Sequence, residues 1–452
     1  MTSGDRGHPP EQWGSSLGFV LAAAGSAVGL GNLWGFAYRA SQGGGAAFVV
    51  LYLLIVAVVC LPVLVAEMVL GRSTGHAPLL APITAGGRRW APLGWLFMAA
   101  AIGILSYYAV LMGWTGRSLI HALGAPLPAD IPAAERFFAG ISSGGDAVLG
   151  HLISLALTGV VVAAGIKAGI ERLTRWAMPL LFLLLLALVI WAAFLPGAHE
   201  GYNGFLLRWD ASKLTDLTTI RNAFTQAFFS IGTGIGAILA YSTYLNRRSG
   251  IPGEAVAVVS MDTAVGLMAG CITFPLVASF GLVDVVSGST VGTLFISLPT
   301  GLASLGGAGR VVAALFFLLA YVAAITSSVS LLEVPVSSLM DRLGWSRSRS
   351  VWLMVLLIAV IGLPSCLDVA VLERMDALFG GVCLIAGGLL LALLLGWQVP
   401  DRFRTDLLES GSSPDLVRLL RWALRWISVP AISLGLLISI IDLAKSWSGA
   451  GA

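Results

Sequence analysis

Gly25-Ser26-Ala27-Val28-Gly29-Leu30-Gly31-Asn32 lies inside an apolar run that opens near Leu17. Three glycines in seven residues, each weakening a helix by about 1 kcal/mol relative to alanine, are a poor choice for a helix that only has to hold together. The same defect returns five apolar runs later, in Ser230-Ile231-Gly232-Thr233-Gly234-Ile235-Gly236. Interrupted helices in corresponding positions of two halves predict an inverted repeat, runs 1–5 against runs 6–10, with a binding site between them near the membrane midplane. Close helix packing of the small-xxx-small kind would explain one isolated motif. Here Asn32 and Ser230 accompany the breaks, and irregular backbone at membrane depth is tolerated only where it is buried in protein or lines a cavity.

A membrane setting follows from composition. Of 452 residues 57% are hydrophobic and 11% charged, and the mean hydropathy is +0.91; an ordinary soluble domain has roughly 25% charged residues. Apolar runs of about 20 residues, the length a helix needs to cross the hydrocarbon, recur along the whole chain and lack the ten-residue alternation of a barrel. Eleven spans are expected, at about 15–38, 46–70, 90–122, 148–166, 173–195, 218–245, 254–282, 309–340, 350–364, 372–397 and 416–444. With the N-terminus cytoplasmic, 17 of the 26 basic residues fall on the inner side, the distribution the positive-inside rule favours. Outer stretches at 123–147, 196–217 and 283–308 are long enough to carry structure, the last suiting a re-entrant or surface hairpin. No second domain and no removable signal peptide are expected. The four cysteines, Cys60, Cys271, Cys366 and Cys383, lie in apolar runs without ligand-like spacing. Dispersed charge with no basic run excludes a nucleic-acid partner.

An unwound helix offers carbonyls to a cation and helix N-terminal amides to an anion, so a zwitterion together with a sodium ion fits the break. The eighth run adds Ala323-Ala324-Ile325-Thr326-Ser327-Ser328. Its hydroxyls either bond the carbonyl one turn back or, facing the break, supply the oxygens a hard ion wants. Four carboxylates stand within membrane runs, Glu67, Asp262, Glu333 and Asp376, positions that are functional by default until paired. Glu67 is placed to accept exposed amides of a broken helix or to serve a plain structural partner. The five histidines sit at helix ends or in loops without metal-type spacing, which argues against a membrane-embedded enzyme. No filter motif or arginine-rich voltage-sensor helix suggests a channel.

These motifs resemble the neurotransmitter:sodium symporters, above all their bacterial amino-acid-transporting members, over Trp13 to Trp426. The resemblance rests on Trp13 through Asn32, Gly43-Gly44-Gly45-Ala46, Gln226-Ala227-Phe228-Phe229-Ser230, Thr326-Ser327-Ser328, and Gly169 and Pro179 nine residues apart. It implies an all-α integral membrane protein with a LeuT-type 5+5 inverted repeat and an additional eleventh transmembrane helix. It implies sodium-coupled symport of a neutral, hydrophobic or aromatic, amino acid, with a betaine, glycine or a GABA-like zwitterion as the alternative substrate. One sodium site would use the carbonyls of Gly25, Val28 and Ala323 and the hydroxyls of Thr326 and Ser327. A second would use the Ala27 carbonyl, Asn32, Ser230 and the substrate carboxylate, with Asp262 where relatives carry asparagine; an acid there implies that chloride is not required. The substrate carboxylate would meet the amides near Leu30 and Gly31 and the Tyr108 hydroxyl, leaving Tyr107 as a packing aromatic. Its side chain would face Ile104, Phe229, Gly232, Ile235, Ser328 and Leu331. Gly29 stands where monoamine transporters carry aspartate, which favours an amino acid. Gly35 replaces the family's outer-gate arginine while its partner Asp376 remains; Arg39, one turn on, is placed to reach Asp376 or else lies exposed in a loop. The inner-gate arginine position reads Pro10, leaving Arg6 as a candidate partner for Asp341. The expected setting is a bacterial inner membrane, the expected state a monomer or weak dimer.

Overall fold

The computed structural model describes residues 12–247, 249–281 and 292–448. Every regular element among the described residues is helical. The first run divides into α1 (Ser16–Ala27) and α2 (Gly31–Gln42), turned 67° from one another. Then come α3 (Ala46–Thr74), α4 (Arg88–Gly124), α5 (Gly144–Ala163) and α6 (Ile166–Ala193). The second broken run is α7 (Leu217–Ile231) and α8 (Ala237–Ser242). It is followed by α9 (Ile251–Phe280), α10 (Gly306–Leu343), α11 (Arg347–Leu367) and α12 (Val369–Gln398). A short helix, α13 (Pro400–Glu409), precedes α14 (Pro414–Ile441).

Among the described residues nine of these helices are long and apolar enough to cross a membrane, or ten with α1 and α2 taken as one span. The run expected at 218–245 is two helices too short to count singly, because the chain stops being helical at 232–236. The stretch expected as an outer hairpin contains a short apolar helix, Leu294–Ala303, and its segment 283–291 lies outside the described residues. Leu149, Leu152, Ile153, Leu157 and Val160 form an exposed apolar stripe on α5, at the spacing of one helix face and in keeping with contact to lipid.

The two breaks are built differently. At the first, no glycine takes a left-handed conformation; Val28 is extended (φ −71°, ψ 105°), and its N–H still closes α1 on the Ala24 carbonyl. At the second, Gly232, Gly234 and Gly236 have φ of +67°, +95° and +84°, a region closed to most side-chain-bearing residues. That second break rests directly on the backbone of α12, where a Cβ on Gly387 would come within 2.0 Å of the Gly234 carbonyl oxygen. The fully buried Glu67 of α3 completes it, its two carboxylate oxygens accepting from Gly234 N at 3.0 Å and Leu239 N at 3.2 Å. α10 runs along α4 and also touches α1 and α8, so both breaks face the same pair of long helices.

Candidate functional site

The extended Val28 leaves α1 with carbonyls that have no partner one turn on, and α10 meets them with hydroxyls. Ser327 Oγ lies 3.3 Å from the Gly25 carbonyl oxygen, 3.0 Å from that of Val28 and 3.3 Å from that of Ala323. Thr326 Oγ1 donates to the Ala323 carbonyl at 2.9 Å. The five oxygens singled out in the sequence are thus gathered in one buried cluster without a charged group among them, a donor set suited to a hard monovalent cation.

A second cluster lies on the far side of the break. Asn32 accepts from Gly29 N at 3.1 Å and, through Nδ2, donates to Ser230 Oγ at 2.7 Å and Asp262 Oδ1 at 2.6 Å. Ser230 Oγ donates to Asp262 Oδ2 at 2.7 Å. α2, α7 and α9 therefore converge on one fully buried carboxylate, a fixed negative charge that a cation would offset.

Between the clusters is a cavity of about 50 Å³. Its polar side is the Ala27–Asn32 backbone, Tyr108, Ser26, Ser327 and Ser330; its apolar side is Ile104, Phe229, Gly232, Ile235, Leu331 and Leu384. No lining residue is charged. The Tyr108 hydroxyl accepts from Leu30 N at 3.2 Å. Glycine at 29 leaves room for the Tyr108 and Ser327 hydroxyls, which a Cβ would approach to 3.0 and 3.1 Å.

Ser328 is not where the sequence placed it. Its hydroxyl turns away from the cavity to bond Thr158 of α5 at 2.8 Å, because residue 328 stands about 100° round the helix from Ser327. The polar pair on the cavity wall is Ser26 with Ser330, 2.6 Å apart. Ser330, three residues after Ser327 and so on its face, carried a signal that could have found it.

Tyr108, Phe229, Leu30 and Gly31 also line a second cavity of about 140 Å³, which holds Arg39, Tyr107 and Asp376. These four residues form the wall between the two cavities. Arg39 is not a loop residue: it shares this cavity with Asp376 and interacts with its charge, without a hydrogen bond or close ion pair between the two among the described residues. Its guanidinium lies over Gly35 and donates to Gln226, while Asp376 accepts from the Tyr107 hydroxyl at 2.7 Å. Tyr107, expected only to pack, thus holds the aspartate.

At the opposite end Asp341 accepts from His76 Nδ1 at 3.0 Å and Ala77 N at 2.9 Å; Arg6 lies outside the described residues. Arg347 of α11 forms a two-armed ion pair with the buried Glu333 of α10, at 2.7 and 3.1 Å. Tyr244, just past α8, donates to Glu333 at 2.9 Å. Trp13 Nε1 donates to the Tyr241 carbonyl, and Glu171 at the start of α6 accepts from Gly14 N at 2.7 Å. At this end the first broken run is therefore fastened to α6, the second to α10 and α11, and the two to each other. Outside the membrane spans Asp406 of α13 receives Arg72 of α3 at 2.6 Å; burial pushes the Asp406 carboxyl up, against the pull of Arg72.

The profile of the Sodium:neurotransmitter symporter family matches residues 10–137 and 133–448. The chain belongs to this family. It is 33% identical to the sodium-dependent transporter YhdH of Bacillus subtilis over 91% of this chain and 93% of that protein. It is 26% identical to the sodium-dependent nutrient amino acid transporter 1 of Drosophila persimilis over 77% of this chain and 62% of that one. Among solved structures, MhsT in complex with L-phenylalanine aligns with a TM-score of 0.86 at 35% identity, covering 95% of this chain and 100% of MhsT. The helical LeuT-type fold is thereby shown, and this symporter is a multi-pass, sodium-dependent membrane transporter and not an enzyme.

Proposed function

We propose that this symporter carries a neutral amino acid with an apolar or aromatic side chain, together with sodium bound at the two oxygen clusters. The carrying observation is the uncharged cavity between them, which sets the amides of the first break and Tyr108 opposite Ile104, Phe229, Ile235 and Leu331. The substrate carboxylate would take the amide side, where Leu30 N already has a hydroxyl partner in Tyr108; the side chain would take the apolar side. The Gly25, Val28, Ala323, Thr326 and Ser327 oxygens would hold one sodium. Ala27, Asn32, Ser230, Asp262 and the substrate carboxylate would hold the other, Asp262 supplying the negative charge that makes chloride unnecessary. That relatives bear amino-acid names, and that MhsT was crystallised with L-phenylalanine, supports this reading.

In alternating access the broken helices with α3 and α9 rock against the remaining helices. The wall made by Tyr108 and Phe229 opens toward Arg39 and Asp376 on the outside; contacts of Asp341, Glu333 and Trp13 part on the inside. Unwinding between Gly169 and Pro179 would admit water to the Thr326–Ser327 cluster. The N-terminus is cytoplasmic in this scheme, and the membrane a bacterial inner membrane. Uptake of radiolabelled L-phenylalanine and L-leucine into proteoliposomes tests the reading. It should require an inward sodium gradient, proceed without chloride, and be competed by other bulky neutral amino acids. Uptake unchanged with potassium replacing sodium would refute the coupling, and competition by betaines or GABA alone would refute the substrate class.

A further inference from the structure

On the face where Arg72 meets Asp406, α13 folds back on the start of α14 and leaves a cleft of about 240 Å³. Its walls are Arg404 and Leu408 of α13 and Pro414, Val417, Arg418 and Arg421 of α14. Arg418 pairs with Asp415 at 3.2 Å, while Arg404 and Arg421 have no ion-pair partner among the described residues. Guanidiniums turned onto one cleft repel one another unless an anion lies between them.

The surroundings say which anion. Along α14 beside the cleft, Leu416, Leu419, Trp422 and Trp426 are exposed, and Trp397 at the end of α12 stacks edge-on against Trp426 at 5.1 Å. Exposed tryptophans beside arginines where a span meets water mark the headgroup layer, where basic clefts between helices receive acidic headgroups. Half the cleft wall is apolar, which suits a phosphodiester that continues into glycerol and acyl chain better than a fully hydrated free anion. The geometry points to a binding site for the headgroup of an anionic phospholipid between α13 and α14, separate from the transport cavity.

Native mass spectrometry of the full-length chain, from micelles containing equal phosphatidylglycerol and phosphatidylethanolamine, tests this. The wild type should retain phosphatidylglycerol in preference. Arg404→Gln and Arg421→Gln should each lower that preference about fivefold, and Arg418→Gln, whose charge is shared with Asp415, less. Equal retention by wild type and the Arg404→Gln/Arg421→Gln chain overturns the proposal, as does full displacement of the lipid by inorganic phosphate. Should the double variant not fold, headgroup-labelled photoreactive phosphatidylglycerol on the wild type decides. Cross-links within 404–426 support the site, and cross-links confined to other segments overturn it.

Discussion

Glu67 holds two main-chain N–H groups of the second break with its two carboxylate oxygens. A glutamine there has one oxygen to accept with, and its NH2 would face the other N–H. Glu67→Gln should therefore cost about 1–3 kcal/mol, the penalty for a buried donor left unmet, and lower the thermal unfolding temperature in detergent. Ser327 touches three carbonyls at once. Its replacement by alanine should raise the sodium concentration for half-maximal uptake by about tenfold or more, on the energy of one contact to a charged partner. Ser328→Ala should leave that concentration unchanged, since its hydroxyl is spent on Thr158. The sequence showed three adjacent hydroxyls and could not distinguish them by type. Only their angular positions on α10, and the neighbours those angles bring, separate them.

The paired glycine breaks looked alike as strings, and the helices show that they are not. In the first, glycines make room: a Cβ on Gly25 would meet Thr326 Cβ at 3.1 Å and Met178 Sδ at 3.2 Å, and one on Gly31 would run into the Phe229 ring at 2.5 Å. In the second they supply backbone conformation, at positive φ in Gly232, Gly234 and Gly236. The consequences of substitution should separate accordingly. Gly234→Ala forces a side chain onto a backbone at φ +95°, a conformation costing about 1–3 kcal/mol outside glycine, and should destabilise the fold by that amount, read as a lower unfolding temperature. Gly31→Ala meets a ring that can swing away, so it should fold normally while weakening amino-acid binding through the displaced wall, read by equilibrium binding of labelled substrate. Equal loss of stability in both variants would contradict this division.

Across the whole molecule, the two cavities are closed from each other by Tyr108 and Phe229, and the end bearing Trp13, Glu333 and Asp341 is fastened by hydrogen bonds and ion pairs. Tyr244 links the second broken run to the Glu333–Arg347 pair. Tyr244→Phe removes the hydrogen bond to the Glu333 carboxylate, worth about 1.5–3 kcal/mol, and the longer one its hydroxyl accepts from Arg347 at 3.4 Å, while leaving the ion pair in place. It should shift the population toward the state open at that end, seen as faster amide hydrogen exchange at the start of α1; unchanged exchange there would show that the bond does not hold the closure. The sequence by itself determined a helical membrane protein, two broken runs in repeated positions and the oxygen-bearing residues around them, because hydropathy, helix-weakening glycines and hydroxyls inside apolar runs are local properties. Tertiary structure decided what depends on angle and distance between segments far apart in the chain. It set Ser26 and Ser330 on the cavity and turned Ser328 away from it. It gave Asp376 to Tyr107 and Asp341 to His76, and brought Arg39 across Gly35 to Gln226. The space beside Gly35 therefore holds a guanidinium although the sequence has glycine there, since a side chain one helical turn away reaches into the space that glycine leaves.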